Sequence, residues 1–204
     1  MIRLRRPSDQ EISAQLRLAD PAFSYAEVGA TADPSAIDAL ASRYTIDRRQ
    51  FPLGHGRALF ERARTALFAW QHFEIRWLEL CGGDRTVHEG QIVATLTRVF
   101  GVWFLNPCRV VYRIDVPGET NQVAFAYGTL SGHVASGEER FTVRRDPATD
   151  EVCFEILAFS RPTMTLTRAG YPWMRRVQSR FANCAAEALA IGMNDFVPAA
   201  TRMR

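Results

Sequence analysis

The sequence predicts an α+β fold in which a curved, mostly antiparallel sheet of six or seven strands wraps around a long C-terminal helix. Three observations predict it. Extended segments follow one another between residues 74 and 160 with only short turns between them, too short for the crossover helix that a parallel pair requires. From Tyr171 to Ile191, Trp173, Val177, Phe181, Cys184 and Ala188 recur on one side of a helix at about 100° per residue. A helix of roughly 20 residues is about 30 Å long and cannot bury so large a stripe alone. Something broad must lie under it, and the preceding strands supply that surface.

The elements follow in order. Ser8 suits an N-cap, with Glu11 completing a capping box. Ile12, Leu16 and Ala19 then make the apolar side of a short helix that Asp20-Pro21 ends. Phe23 to Ala32 shows no period, and Pro34 to Ser42 predicts another helical turn or two. Tyr44 to Leu53 reads as an irregular strand, where Pro52 argues for an edge or an end. Gly54-His55-Gly56 forms a tight junction, where His55 suits a cap for the next helix, with a catalytic role as the alternative. That helix runs over Arg57 to His72, with Leu59, Ala63, Ala66, Leu67 and Trp70 at helical spacing. His72 and His88 carry no signal. The period then changes, and 74–81, 91–98, 100–105, 108–116, 121–130, 138–145 and 151–160 read as strands. Gly82-Gly83-Asp84, Pro117-Gly118 and Asp146-Pro147 are the clearest turns. Pro162 stops the last strand, Pro172 suits a first helical position and Gly192 suits the helix stop. Residues 1–191 make one domain and 192–204 a loose tail.

The 204 residues, 47% hydrophobic and 23% charged, match a globular chain long enough to bury a sizeable core. A net charge of +3 draws anionic partners only weakly. All 25 basic residues are arginine, the better residue for bidentate anion contacts, although a G+C-rich coding bias gives the same composition. Cys81, Cys108, Cys153 and Cys184 form no CxxC pair, which argues against zinc and for inert thiols. The chain shows neither a secretory-type apolar run near its start nor a stretch of about 20 apolar residues. A cytoplasmic protein with reduced thiols is the expectation. GxxxxGK[ST], GxGxxG, GxSxG and HExxH are all missing, so no cofactor is expected and nucleotide hydrolysis, Rossmann redox chemistry and the common hydrolase plan are disfavoured.

Several stretches carry a resemblance: YAEVGAT (25–31), LGHGRALFERA (53–63), FLNPCRVVY (104–112), FAYGTLSGHVASGEERF (125–141), EILAFSRP (155–162) and YPWMRRVQSRF (171–181). They resemble the bacterial and plant family called domain of unknown function nineteen-ninety, over about residues 2–190. The resemblance implies a START-like helix-grip (SRPBCC) fold, shared with hydrophobic-ligand carriers and polyketide cyclases. It implies no particular activity.

The most informative polar stretch is GTLSGHVASGEER (128–140). A glycine-flanked tip there carries His133 close to Glu138 and Glu139. A carboxylate beside an imidazole makes a usable general base, and the same residues also suit a solvated hairpin end. Period two puts Glu139 on the face of Phe141 and Val143. A carboxylate on an apolar face must be paired or protonated, and Arg109, Arg140 or Arg161 are the available partners. Tyr112 and Tyr127 are in phase with apolar neighbours. With Phe154 they are expected to line a cavity between sheet and helix, Arg109 and Glu139 supplying its polar anchors. Trp77, Trp103, Phe104 and Trp173 read as core or cavity wall. Three functions compete: a carrier of a small, largely hydrophobic molecule; a cyclase- or hydrolase-like enzyme using His133 with Glu138 or Glu139; and an interaction module meeting an anionic surface through Arg168, Arg175 and Arg176. Nucleic acid is disfavoured because these arginines lack a wider basic field.

Overall fold

The computed structural model describes residues 2–116, 121–163 and 171–195. Its strands are β1 (Ile2–Arg3), β2 (Thr45–His55), β3 (Leu78–Cys81), β4 (Ile92–Val99), β5 (Val102–Ile114), β6 (Gln122–Thr129), β7 (Ala135–Arg145) and β8 (Glu151–Pro162). Its helices are α1 (Asp9–Leu18), α2 (Pro34–Ala39), α3 (Arg57–Phe68) and α4 (Tyr171–Asp195), with 3₁₀ turns at Ala30–Ala32 and Gln71–Phe73. The strands form one eight-stranded antiparallel sheet in the order β2-β8-β7-β6-β5-β4-β3, and β1 pairs with β5. The expected sheet is there, with the strands at its N-terminal side added to the run of hairpins.

Local chemistry explains most boundaries. The capping box of α1 forms: the Glu11 N–H donates to Ser8 Oγ at 3.3 Å, and the Ser8 N–H donates to Glu11 Oε2 at 2.7 Å. The two segments expected at 100–105 and 108–116 are one strand, β5, that runs straight through Pro107. The Pro107 carbonyl accepts from the Leu130 N–H at 3.0 Å, so its nitrogen faces the same side, just where the β6 ladder ends. The missing N–H therefore costs no bond to β4. His55 does not cap α3. It is the last residue of β2, and Gly56, at φ +103°, is the N-cap with no side-chain bond. α3 stops at Phe68, and Trp70 turns the chain at φ 62°.

Both faces of the sheet are covered, which is why β6 is a near-continuous apolar run and why β7, although it carries Glu138, Glu139 and Arg140, is buried along most of its length. On the concave face α3, the Gln71–Phe73 turn and the C-terminal half of α4 bury Phe60, Leu67, Phe125, Phe141, Phe154 and Leu189. Each such side chain contributes about 1.5–3 kcal/mol. On the convex face Tyr25, Ile37, Leu40 and Tyr44 pack on Leu157 and Phe159, while α1 sets Ile12 and Leu16 against Ala94, Leu96 and Leu105. α4 does not stop at Gly192. It runs to Asp195 with Met193 buried, because a Cβ at Gly192 would lie 2.8 Å from Gln71 Cβ, and only glycine lets the two elements cross so closely. Val177 and Phe181 face the sheet as expected. The Trp173 side chain and Arg168 lie outside the described residues.

Candidate functional site

Among the described residues, none fills the concave face beside the N-terminal half of α4. Small side chains there, among them Gly137, Ala158, Thr95 and Thr97, leave a cavity of about 520 Å³ between β4–β8 and α4. Trp77, Phe104, Val177 and Phe181 wall it, and Val99 at the end of β4 and Phe100 in the β4–β5 turn contribute to its lining. The expectation of a cavity is met, and it lies in the drug-sized range.

Its polar groups are few. Tyr127 and Glu139 stand directly opposite each other on β6 and β7, and the Tyr127 O–H donates to Glu139 Oε2 at 2.6 Å. Burial pushes the Glu139 carboxyl up to about 7, and Asp47 adds to the rise, while the Tyr127 bond opposes it. Burial, and then the neighbouring Glu139, holds the Tyr127 phenol well above its ordinary range. His133 also lines the cavity. Its Nδ1 accepts from the Ala135 N–H at 2.9 Å, which places the ring proton on Nε2, and burial lowers its pKa to about 4. Asn106 lines the same wall with Oδ1 buried and unpartnered. Sequence reasoning missed it; a lone amide inside the apolar run FLNPC was the available signal.

Four of the expected site residues, Glu138, Tyr112, Arg109 and Phe154, do not turn their side chains into the cavity, although Glu138 contributes to its lining. Glu138 points to the convex face, where it accepts from Tyr25 O–H at 2.7 Å, the Gly29 N–H at 2.7 Å, the Thr31 N–H at 3.0 Å and the Thr31 hydroxyl. It ties residues 25–31 to the sheet and makes no bond with His133; adjacent strand residues face opposite ways. Tyr112 is on that convex face too, hydrogen-bonded to Thr31 Oγ1 at 2.7 Å. Since the Thr31 hydroxyl gives its proton to Glu138, Tyr112 is the donor. A bulge between Val110 and Tyr112 inserts one residue, so the period that puts Val110 inward carries Tyr112 outward. Arg109 is likewise convex, its guanidinium 4.1 Å from the centre of the Phe23 ring. Phe154 is inside but packed solid in the core, its ring centroid 6.3 Å from Phe51 and 6.4 Å from Phe141. The other proposed partners of Glu139 are also committed elsewhere. Arg140 donates to the Thr31 carbonyl at 3.0 Å, and Arg161 lies over Tyr44 at 4.8 Å. On α4, Arg175 pairs with both oxygens of Asp47, Arg180 lies over Trp77 at 5.0 Å, and Arg176 is exposed.

Among the described residues, no group of three or more His, Cys, Asp and Glu side chains is placed to hold a metal ion. None of the described helices is long and apolar enough to cross a membrane.

Comparison with known proteins bears on both fold and family. The chain is similar to an aromatase/cyclase from Streptomyces sp. R1128 with a TM-score of 0.53 at 11% identity, covering 78% of this chain and 99% of that one. It is also similar to a hypothetical protein from Helicobacter pylori with a TM-score of 0.50 at 11% identity, covering 83% and 95%. Identities this low speak for the fold alone. In sequence, the chain is 32% identical to a UPF0548 protein of Dictyostelium discoideum over 97% of this chain and 99% of that protein. It is 34% identical to a UPF0548 protein of Deinococcus radiodurans over 93% and 97%. The Dictyostelium relative widens the expected bacterial and plant range. The family described as Domain of unknown function (DUF1990) matches residues 24–188, and the chain belongs to it.

Proposed function

We propose that the protein binds a small, largely hydrophobic molecule in the cavity between the sheet and α4, oriented by the Tyr127–Glu139 pair. The observation that carries this reading is the cavity itself: about 520 Å³, walled by aromatic and aliphatic side chains, with a few polar groups converging on it. Tyr127, Glu139 and His133 stand as its ligand contacts. We place the protein in the cytoplasm, in keeping with four free cysteines, of which Cys81 and Cys108 are buried. Ala158 stands directly opposite Glu139 on β8, so Ala158→Trp fills the space without touching the core. Mass spectrometry of molecules that co-purify, run on both proteins, tests the reading. The expected result is an apolar molecule released by the wild type and absent from a folded Ala158→Trp protein. The same molecule at equal amounts in both, or saturable ligand binding that survives the substitution, refutes it.

One observation favours a second reading, an enzyme in the same cavity. A carboxyl pushed to about 7 at a cavity wall is suited to exchange a proton with a bound substrate near neutral pH. In that reading Glu139 acts as the acid or base and Tyr127 positions it, while Glu138 takes no part. Turnover of the co-purified molecule by wild type, lost in Glu139→Gln, separates an enzyme from a carrier.

A further inference from the structure

Resting on the cavity-binding reading above, we propose that the cavity selects hydrophobic amines: molecules with an apolar body and a protonated nitrogen that pairs with Glu139. The charge arrangement points there. Among the described residues lining the cavity, Glu139 is the only acid whose side chain turns inward, and no arginine lines it. Arg109, Arg140 and Arg161 are engaged on the convex face, and Arg175 is held by Asp47. Among the described ionisable groups near Glu139, Tyr127 donates to it, Asp47 is paired with Arg175, burial pushes the Cys108 thiol up, and His133 on the same cavity is neutral above about 4. An anionic ligand, such as a long-chain carboxylate, would therefore meet a like charge and, among the described residues lining the cavity, find no cation to pair with. Among the described residues only Oε2 of Glu139 has a donor, which leaves Oε1 for the ligand.

The walls suit the same chemistry. Trp77, Phe104, Tyr127 and Phe181 line the same cavity as the carboxylate. Aromatic faces attract a cation and accept the apolar body next to it. A neutral ligand would use those walls equally well but would leave the buried carboxyl uncompensated, as burial already disfavours its charged form. An ammonium removes that penalty, which is the basis for preferring amines over alcohols of the same shape.

The test uses the full chain and Nile red, an uncharged apolar dye, as the reporter of cavity occupancy. Naphthylethylamine, naphthylethanol and naphthylacetic acid, matched in shape, then compete for it. Wild type should favour the amine over the acid by about tenfold or more, and over the alcohol by a smaller margin. Glu139→Gln keeps the acceptor for the Tyr127 O–H and should reduce the amine-to-acid ratio to within about threefold. Should Glu139→Gln fail to fold, the wild type alone carries the test. Its amine affinity should fall about tenfold from pH 8 to pH 5.5 as Glu139 takes up a proton while the Tyr127 phenol stays neutral. Nile red that fails to saturate, or that binds Ala158→Trp equally well, overturns the cavity reading and the amine reading together. Saturable dye displaced as well by the acid as by the amine, or a preference unchanged by both Glu139→Gln and pH, overturns the amine reading alone.

Discussion

Acid should loosen this fold through His72. The ring is fully buried, its centroid 4.6 Å from those of Phe73 and Phe141 and 5.6 Å from that of Phe125, and neither nitrogen has a hydrogen-bond partner among the described residues. Burial lowers its pKa from the ordinary 6.5 to about 3. Between those two values the unfolded chain carries a proton that the folded chain refuses. The unfolded state binds more protons there, so stability is fully present above 6.5 and falls as the pH drops toward 3. From pH 7 to pH 5 the loss from this residue alone is about 2 kcal/mol. His133, lowered to about 4, acts with the same sign. Glu139 acts with the opposite sign: its folded pKa of about 7 lies above the ordinary 4.5, so it stabilises as the pH falls through that window. The net wild-type profile therefore hides the effect, and the difference between wild type and His72→Phe exposes it. The larger phenyl ring shifts absolute stability but not its pH slope. Urea unfolding of both proteins at pH 7 and pH 5 should show the variant losing about 2 kcal/mol less than wild type. Equal losses would mean that the folded state protonates His72 without penalty, and the reasoning from burial would fail.

Three more predictions concern the site and its supports. Tyr127→Phe removes the bond that opposes the burial of Glu139, so the Glu139 carboxyl should titrate still higher than in wild type, as followed by carbon NMR of the side-chain carboxyl; a downward shift would contradict the geometry. Glu138→Ala leaves the donors of Tyr25, Gly29 and Thr31 unpaired. It should cost about 3–5 kcal/mol in urea unfolding and speed hydrogen exchange over residues 24–31; a loss below about 1 kcal/mol would show that these donors find other partners. Gly192→Ala would stabilise an exposed helix by up to about 1 kcal/mol, but here the new methyl meets Gln71 at 2.8 Å, so a net loss of about 1–3 kcal/mol is expected, relieved by adding Gln71→Gly; a gain in melting temperature would refute the close crossing.

What the sequence determined by itself is the part governed by local chemistry. The capping box of Ser8 and Glu11, the antiparallel pairing forced by short turns, and the apolar stripe of the last helix all depend on neighbours within a few residues, and all appear in the structure. The inward turn of Glu139 was legible for the same reason, since period two holds along a regular strand. Tertiary structure decided the rest because it depends on partners far along the chain. Only the ladder with β6 reveals the bulge that turns Tyr112 away from the cavity. Only the place where that ladder ends lets Pro107 sit inside a strand. Glu138 and Glu139 are adjacent and chemically alike, yet one ties residues 25–31 to the convex face and the other lines a cavity. His72 carried no signal at the end of a helical pattern, and it became a buried, unpartnered ring only when α3 and α4 closed over the sheet. Register, bulges and burial are set by hydrogen bonds and packing between distant segments, and no window of neighbouring residues contains them.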